Sequence, residues 1–238
     1  MRVQTEDFEY DFGGHRFAGY IAWDAEQKAQ RPGILIVHEW MGPGENVKRR
    51  ARMLAELGYV AFAADMYGVD VRPQNAGEAA VAMNDVLADP EALRERLKFA
   101  VARLQADPRV DPKKIAAIGY CFGGACVLGL ARSGADIAGV VSFHGALSTT
   151  APATMKPAAK ILVLHGAEDP FVDAHKVDKF MQEMRAVHAD WQLVHYGNAV
   201  HSFTNPGATD AQAGFCYDAT ADARSWQHMR VFFDEIFA

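Results

Sequence analysis

Cysteine is scarce in this chain, no long apolar run occurs, and positive charge is not in excess. The 238 residues include three cysteines, Cys121, Cys126 and Cys216, a small and odd number that argues against a disulfide framework and favours a reduced, cytoplasmic compartment. No apolar stretch approaches the roughly 18 residues of a membrane span, and residues 1–7 lack the apolar core of a signal peptide. A formal net charge of −6 without a basic stripe argues against a nucleic-acid partner.

The chain does have short apolar blocks that alternate with helical patterns. Half of the residues are hydrophobic, enough for the core of one domain spanning residues 1–238. Strand-like apolar character occurs at residues 3–10, 15–23, 33–38, 59–64, 115–118, 137–143, 160–166 and 191–196. Helical periodicity covers residues 45–57, 77–88, 90–106, 122–132, 173–188 and 220–237, whereas 66–77, 148–159 and 197–219 are predicted to be irregular.

This alternation predicts an α/β fold with a mainly parallel central sheet and helices on both faces. The first two strands flank Gly13-Gly14, a turn signal, and are predicted to form an N-terminal antiparallel β-hairpin. In such sheets the ligand crevice lies beyond the carboxyl ends of the strands. Functional residues are therefore expected directly after strands.

Residues 114–124 combine a buried strand, a sharp turn and the start of a helix. Gly119 and Gly123 flank Cys121 in a G-x-C-x-G pattern, the nucleophile elbow of the α/β-hydrolases with Cys in place of Ser. The N-terminus of the following helix favours negative charge, both on a thiolate and on the oxyanion of a tetrahedral intermediate. A glycine-rich turn with a buried structural thiol is the alternative interpretation of the pentapeptide alone.

Two further candidates follow later strands. Asp169 comes after the strand at 160–166, and His201 comes after the last strand, so the order Cys121, Asp169, His201 is that of the α/β-hydrolases. A thiolate nucleophile, an imidazole that carries protons and a carboxylate that orients the imidazole together form a catalytic triad.

Each triad position has a rival. Glu168 is the alternative acid, although Asp169 matches the expected position better. Three other histidines, His38, His144 and His165, lie near strand ends, with satisfied core residues as their alternative interpretation. His195 lies within the final strand and is expected to be structural. Cys126 is interpreted as a small core residue, and Cys216 receives no role.

From about residue 15 to the C-terminus, the chain resembles the dienelactone hydrolase family. The matching segments are His38-Glu39-Trp40-Met41-Gly42, Gly119-Tyr120-Cys121-Phe122-Gly123-Gly124, His165-Gly166-Ala167-Glu168-Asp169-Pro170 and His201-Ser202-Phe203-Thr204-Asn205-Pro206. The resemblance implies that the backbone N–H groups of Trp40 and Phe122 form the oxyanion hole. It also implies that Glu39 contacts the nucleophile and helps to generate the thiolate when substrate arrives.

Glu39 has a physical rationale apart from the family. A carboxylate near a thiol disfavours the thiolate, and a neutral thiol resists oxidation. A charge directly after a buried strand also requires a reason. A solvated loop residue is the alternative interpretation.

The sequence therefore predicts a hydrolase of carboxylic esters or lactones that forms a thioester on Cys121 and needs no metal or organic cofactor. The alternatives are a general carboxylesterase or thioesterase acting on neutral substrates, or a non-catalytic binding module. The partner is expected to be a small-molecule substrate, without nucleic acid or membrane, and the protein a monomer or weak dimer.

The substrate-binding residues follow from the resemblance. In the dienelactone hydrolases for which the family is named, two arginines hold the anionic substrate. One of these arginines lies four residues after the catalytic His, where this chain has Asn205. Arg72, in the loop at 66–77, is the candidate for the other. Tyr67 and Phe203 are further pocket candidates, with a surface aromatic as the alternative for Tyr67. We therefore expect that anionic dienelactone is not the preferred substrate.

Overall fold

The computed structural model describes all residues, 1–238, in ten strands and six helices. The strands are β1 (Val3–Phe12), β2 (His15–Asp24), β3 (Arg31–Val37), β4 (Val60–Ala64), β5 (Val110–Tyr120), β6 (Gly139–Phe143), β7 (Lys160–Gly166), β8 (Trp191–Tyr196), β9 (Thr209–Asp210) and β10 (Phe215–Cys216). The helices are α1 (Glu45–Glu56), α2 (Ala76–Leu87), α3 (Pro90–Gln105), α4 (Phe122–Arg132), α5 (Ala174–Ala186) and α6 (Ala219–Ile236).

The N-terminal hairpin is confirmed and is slightly longer than predicted. Strands β1 and β2 pair antiparallel from Val3 opposite Asp24 to Phe12 opposite His15. The two turn residues, Gly13-Gly14, have φ values of 59° and 79°. A two-residue turn with positive φ at both positions matches the twist of the strands and favours glycine.

Eight strands form one sheet in the order β1-β2-β4-β3-β5-β6-β7-β8. Strand β2 pairs antiparallel with β4, whereas β3 with β4, β6 with β7 and β7 with β8 are parallel. Strands β4 and β6 are buried along their whole length, as expected for parallel strands covered on both faces. The predicted α/β class, a mainly parallel sheet with helices and an N-terminal hairpin, is confirmed.

The chain divides into two compact units, Met1–Ile118 and Gly119–Ala238. In the first unit, helix α1 packs on β2 and β4 through a buried stripe that includes Val47, Ala51 and Leu54. The spacing of four and three residues places these side chains on one helix face. In the second unit, α4 and α6 both pack on β6 and β7. The single domain expected from the sequence stays a prediction.

Two segments differ from the pattern-based expectations. Strand β5 begins at Val110, five residues earlier than the apolar run 115–118 predicts. Residues 111–114 are partly exposed and polar, so the apolar pattern does not reveal the first part of the strand. The segment 197–219, predicted to be irregular, contains the short antiparallel pair β9–β10. None of the helices is long and apolar enough to cross a membrane.

Candidate active site

Cys121 occupies a sharp turn between β5 and α4, as the G-x-C-x-G pattern predicts. Its backbone has φ 54° and ψ −113°, and it is the N-cap residue of α4. A β-carbon added at Gly119 would collide with the carbonyl of Gly123, so the first glycine of the pattern is required by a close approach of two backbone segments. Backbone conformations with positive φ are rare for residues other than glycine, and they persist where the surrounding structure enforces them.

Three backbone hydrogen bonds hold the turn in place. The N–H of Cys121 donates to the carbonyl of Phe143 at 3.0 Å, and the carbonyl of Cys121 accepts from Gly124 at 3.0 Å and from Ala125 at 3.3 Å. The thiol is half-buried, and Phe122 is the first residue of α4. Because the helix dipole points its positive end toward this position, negative charge on the sulfur or on a bound oxyanion is favoured.

Asp169 lies in the turn after β7 and is almost fully buried. Its Oδ1 accepts hydrogen bonds from the backbone N–H groups of Phe171 at 2.8 Å and Val172 at 3.2 Å. Its Oδ2 lies 2.7 Å from Nδ1 of His201. Burial opposes ionisation, but the hydrogen bond from His201 and the backbone N–H of Phe171 outweigh it and lower the pKa of Asp169.

Glu168, the rival acid, is exposed, and its backbone N–H donates to the carbonyl of Ala199 at 3.0 Å. The turn comes close to the loop of residues 197–208, which we call the His201 loop. A β-carbon at Gly166 would lie 2.6 Å from the carbonyl oxygen of Ala199 and 2.7 Å from that of Val200. Glycine at this position therefore allows the two loops to meet, with Asp169 directed inward.

His201 is held by a backbone bridge to β10. Its N–H donates to the carbonyl of Gly214 at 3.1 Å, and its carbonyl accepts from the N–H of Cys216 at 3.1 Å. Burial alone would lower the pKa of the His201 imidazole. The hydrogen bond with Asp169, and to a smaller extent that with Cys121, outweigh the effect of burial, so the pKa of His201 is raised. Cys121, His201 and Asp169 therefore form one hydrogen-bonded series.

Three rings pack edge-to-face on the imidazole of His201. The ring centroids of His144, Phe171 and Phe215 lie 5.2, 5.3 and 5.7 Å from that of His201. Sequence reasoning did not assign Phe171 or Phe215 to the site. Phe171 could have been found from its position two residues after Asp169, whereas Phe215 is brought in by the β10 bridge and has no local signal.

Of the other histidines considered in the sequence, His38, His144 and His165 are buried. His38 is fully buried, and its Nε2 accepts from the N–H of Met66 at 2.9 Å. His165 is buried beside the exposed His195 at a ring distance of 5.2 Å, and burial lowers the pKa of His165.

Glu39, Trp40 and Tyr67 belong to the first unit. Oε2 of Glu39 accepts a hydrogen bond from Asn46 at 3.3 Å. The hydroxyl of Tyr67 donates to the carbonyl of Trp40 at 2.8 Å, and the Tyr67 side chain is buried rather than on the surface. The Tyr67 hydroxyl therefore helps to fix the segment that follows β3.

Arg72, the candidate carboxylate-binding residue, is paired within its own unit. Its Nη2 lies 2.8 Å from Oδ2 of the fully buried Asp65, and its Nη1 donates to the carbonyl of Val71 at 2.8 Å. The positive charge of Arg72 is thus already matched by a buried carboxylate.

In the second unit, Oδ1 of Asn205 accepts from the N–H of Gly207 at 2.9 Å, an arrangement that closes the turn of the His201 loop. Phe203 is fully buried, with its ring 5.2 Å from that of His144 and 5.4 Å from that of Tyr196. Phe203 is therefore the residue of the His201 loop whose side chain packs into the core against His144 and Tyr196. No group of three or more His, Cys, Asp or Glu side chains comes together to hold a metal ion.

A mainly parallel sheet, a cysteine at a strand-to-helix elbow and the hydrogen-bonded His201–Asp169 pair define the α/β-hydrolase class. The family model for the dienelactone hydrolase family matches residues 17–237, and the chain belongs to this family. It is a hydrolase of that type.

Individual relatives agree with this assignment. A solved structure named m3DLH is 39% identical, covers 99% of each chain and has a TM-score of 0.94. A dienelactone hydrolase-like promiscuous phosphotriesterase from metagenomic libraries is also 39% identical, covers 98% of each chain and has a TM-score of 0.92. A putative carboxymethylenebutenolidase from Synechocystis is 26% identical, covering 92% of this chain and 91% of its own.

Proposed function

We propose that this chain hydrolyses carboxylic esters or lactones through a thioester acyl-enzyme on Cys121, with His201 as the proton carrier and Asp169 as its orienting carboxylate. The observation that carries the proposal is the hydrogen-bonded series in which His201 bonds both Cys121 and Asp169. Membership of a hydrolase family supports it.

In the acylation step, the Cys121 thiol transfers its proton to His201, and the thiolate attacks the carbonyl carbon of the substrate. The carbonyl π electrons move to oxygen, giving a tetrahedral oxyanion. When the oxyanion collapses, the ester C–O bond breaks and His201 returns the proton to the leaving alkoxide. A thioester and an alcohol remain; from a lactone, the hydroxyl stays attached to the acyl group.

In the deacylation step, His201 takes a proton from water, and the hydroxide attacks the thioester carbonyl. The C–S bond breaks, the acid is released, and the proton returns to sulfur. Asp169 keeps its negative charge throughout, so it stabilises the imidazolium formed in both steps.

The oxyanion is proposed to bind the backbone N–H groups of Phe122 and Trp40, as the family resemblance implies. Phe122 is the first residue of α4, where the helix dipole favours an oxyanion. Glu39 is proposed to restrain the free thiol and to assist its activation when substrate binds.

The substrate is proposed to be a neutral short-chain ester or lactone. Asn205 stands where the named enzymes carry a carboxylate-binding arginine, and Arg72 is already paired with Asp65. Both observations weaken recognition of an anionic substrate. A general carboxylesterase or thioesterase activity fits the same site. Absence of turnover with every ester and thioester tested would instead favour a non-catalytic binding module.

Phosphotriester cleavage is a second candidate activity. It is favoured by the 39% identity over 98% of the chain to a structure described as a promiscuous phosphotriesterase. Attack of the Cys121 thiolate on phosphorus would break a P–O bond, expelling p-nitrophenoxide from paraoxon, and would leave the phosphoryl group on sulfur. Attack of water on phosphorus, with loss of a proton to His201, would then break the P–S bond, release the phosphodiester and return the proton to sulfur. Turnover of paraoxon that exceeds one product per enzyme, and that is lost in Cys121→Ala, tests it.

A cytoplasmic location is supported by three free cysteines, and a single domain by a family match that runs from residue 17 to 237. The protein is further proposed to be a monomer or weak dimer that acts on a small molecule.

The direct experiment is intact-protein mass spectrometry after rapid mixing with p-nitrophenyl acetate and acid quenching, followed by peptide mapping. An acetyl group on Cys121 is expected, together with a burst of p-nitrophenol. Cys216→Ala is the matched control and should retain both. An acetyl group found on another residue, or a full burst in Cys121→Ala, contradicts the proposal.

A further inference from the structure

His201 is in contact with a second histidine that the catalytic cycle does not use. His144 follows strand β6, and its side chain is fully buried. Its ring centroid lies 5.2 Å from that of His201, with the planes at 67°. Its Nε2 lies 2.8 Å from Oγ1 of Thr204, which is also fully buried.

This hydrogen bond connects the end of β6 to the loop that carries the catalytic imidazole. Thr204 lies three residues after His201 in the His201 loop. The N–H of Asn205 donates to the carbonyl of Ser202 at 2.9 Å, so residues 202–205 form one tight turn. Restraining Thr204 therefore restrains the backbone that sets the position of His201.

His144 is itself firmly anchored. Its N–H donates to the carbonyl of Leu164 in β7 at 2.9 Å. The next residue, Gly145, packs so closely on Gly124 of α4 that a β-carbon would lie 2.7 Å from the Gly124 carbonyl carbon. His144 has φ 40°, an uncommon value for a residue with a β-carbon, and such values persist where the surrounding structure enforces them.

The other two rings around His201 differ in kind. Phe171 is exposed to 43% and Phe215 is half-buried, and their phenyl side chains pack without a hydrogen-bonding group. Of the three rings, only that of His144 combines contact with the imidazole and a hydrogen bond back to the His201 loop.

We propose that His144, through its hydrogen bond to Thr204, is a positioning residue that fixes the plane of the His201 imidazole. With the ring in this plane, Nδ1 of His201 forms a hydrogen bond with Asp169, and the imidazole also forms a hydrogen bond with Cys121. The inference rests on the proposed function, because it gives His201 its catalytic role. Catalysis depends steeply on such alignment, and a misplacement of about 1 Å can lower the rate by about 100-fold.

The test compares Thr204→Val with Thr204→Ser. Valine keeps the shape of threonine and removes the hydroxyl, whereas serine keeps the hydroxyl. For p-nitrophenyl acetate, we expect kcat to fall about tenfold in Thr204→Val with KM changed by less than about twofold, because alignment is lost while binding is kept. Thr204→Ser should stay within about twofold of the wild type.

A second measurement does not depend on activity. In histidine labelled with ¹⁵N, the Nδ1–H proton of His201 gives an NMR resonance that reports its bond to Asp169. In Thr204→Val this resonance should broaden or move, and the pKa of His201 should fall toward its ordinary value. Thr204→Ser should restore both. A role confined to core packing predicts a lower melting temperature with an unchanged resonance, and that result would overturn the proposal.

His144→Phe and His144→Gln provide the reciprocal test and cover the case in which Thr204→Val fails to fold. Phenylalanine keeps a ring beside His201 without the hydrogen bond, so His144→Phe should match the effect expected for Thr204→Val. Glutamine can still reach Thr204 and should recover part of kcat. Equal resonances in the wild type and His144→Phe would count against positioning.

Failure of the two proposals can be told apart. If Cys121→Ala keeps hydrolytic activity, the proposed function is wrong, and the NMR comparison still decides whether His144 positions His201. If Cys121→Ala is inactive while Thr204→Val keeps the wild-type resonance and kcat, only the positioning role is wrong.

Discussion

The Nδ1 atom of His201 lies 2.7 Å from Oδ2 of Asp169, and both side chains are at least nine-tenths buried. Two backbone N–H groups occupy the other carboxylate oxygen. Asp169 is therefore held by backbone N–H groups at Oδ1 and by the imidazole of His201 at Oδ2. A carboxylate fixed in this way can orient an imidazole and balance its positive charge.

Replacing either member of this pair should nearly abolish hydrolysis. His201→Ala and Asp169→Asn are expected to lower kcat/KM by about 10³-fold or more, because triad members act as a unit. Glu168→Gln is the matched control for the acid, since Glu168 is exposed and adjacent in sequence. Steady-state kinetics with p-nitrophenyl acetate measures all three. Near-normal activity in Asp169→Asn together with loss in Glu168→Gln would reverse the assignment of the acid.

The pair should also produce a pH-dependent difference in stability. The pKa of His201 is raised above its ordinary 6.5, so its stabilisation is complete below about pH 6.5 and is lost as the pH rises through the folded pKa. The pKa of Asp169 is lowered from 3.8, so its stabilisation is present above about pH 3.8 and is lost as the pH falls through the lower folded pKa.

We therefore expect Asp169→Asn to reduce the free energy of unfolding most between about pH 4 and 6.5, by about 1.5–3 kcal/mol, with a smaller reduction at alkaline pH. Urea unfolding of the wild type and the variant across this range measures the difference. Glu168→Gln is the control for loss of an exposed carboxylate in the same turn. A difference that grows as the pH rises above 6.5 would contradict the raised pKa of His201.

Cys121 should be the thiol whose alkylation abolishes activity. Iodoacetamide is expected to inactivate the enzyme with modification of Cys121, and substrate should protect it. Cys126 is 2% exposed and should react slowly, so Cys216→Ala is the appropriate control for a second accessible thiol. Cys121→Ser should have low hydrolytic activity, because a hydroxyl needs stronger assistance from a base than a thiol does. Peptide mapping that finds inactivation without modified Cys121 would refute the assignment.

Glu39 should restrain the free thiol. The proposed role of Glu39 sets its negative charge against that of the thiolate. Removing this charge should favour the thiolate, so Glu39→Gln is expected to shift the pH profile of Cys121 alkylation toward lower pH. Turnover should fall if Glu39 also takes part in activation by substrate. Asn46→Ala is a matched control, because Asn46 bonds the Glu39 carboxylate and its loss keeps the charge. An alkylation profile identical to the wild type would show that Glu39 does not influence the sulfur.

Neutral esters should compete well with dienelactone. Losing one charge-assisted contact of about 1.5–3 kcal/mol lowers kcat/KM by about one to two orders of magnitude. Asn205→Arg should shift the preference toward the anion. Asn205→Ala is its control, because both variants lose the bond from Gly207 and only one gains a charge. The measurement is kcat/KM for cis- and trans-dienelactone beside p-nitrophenyl acetate. A value for dienelactone orders of magnitude above that for the ester would refute this preference and make Arg72 the next residue to test.

Local sequence patterns determined the fold class and the candidates for the site. Continuous apolar runs predict buried strands because strands covered on both faces have no polar side, and the double glycine predicts the hairpin turn. Gly119 and Gly123 identify the elbow, and a β-carbon at Gly119 would collide with the backbone carbonyl of Gly123. The position of Asp169 and His201 after strands follows from the same reasoning, since parallel strands end at one edge.

Only the tertiary structure decided how these candidates are paired. Glu168 and Asp169 are neighbours in sequence, and the turn at Gly166 directs Asp169, not Glu168, toward an imidazole 32 residues away. The contacts of His201 with His144 and Phe215 likewise depend on packing between separate segments, and the pairing of Arg72 with buried Asp65 depends on how the loop after β4 folds back. The physical reason is that side-chain pairing depends on distances and directions in space, whereas a sequence pattern reports only the local backbone and its burial.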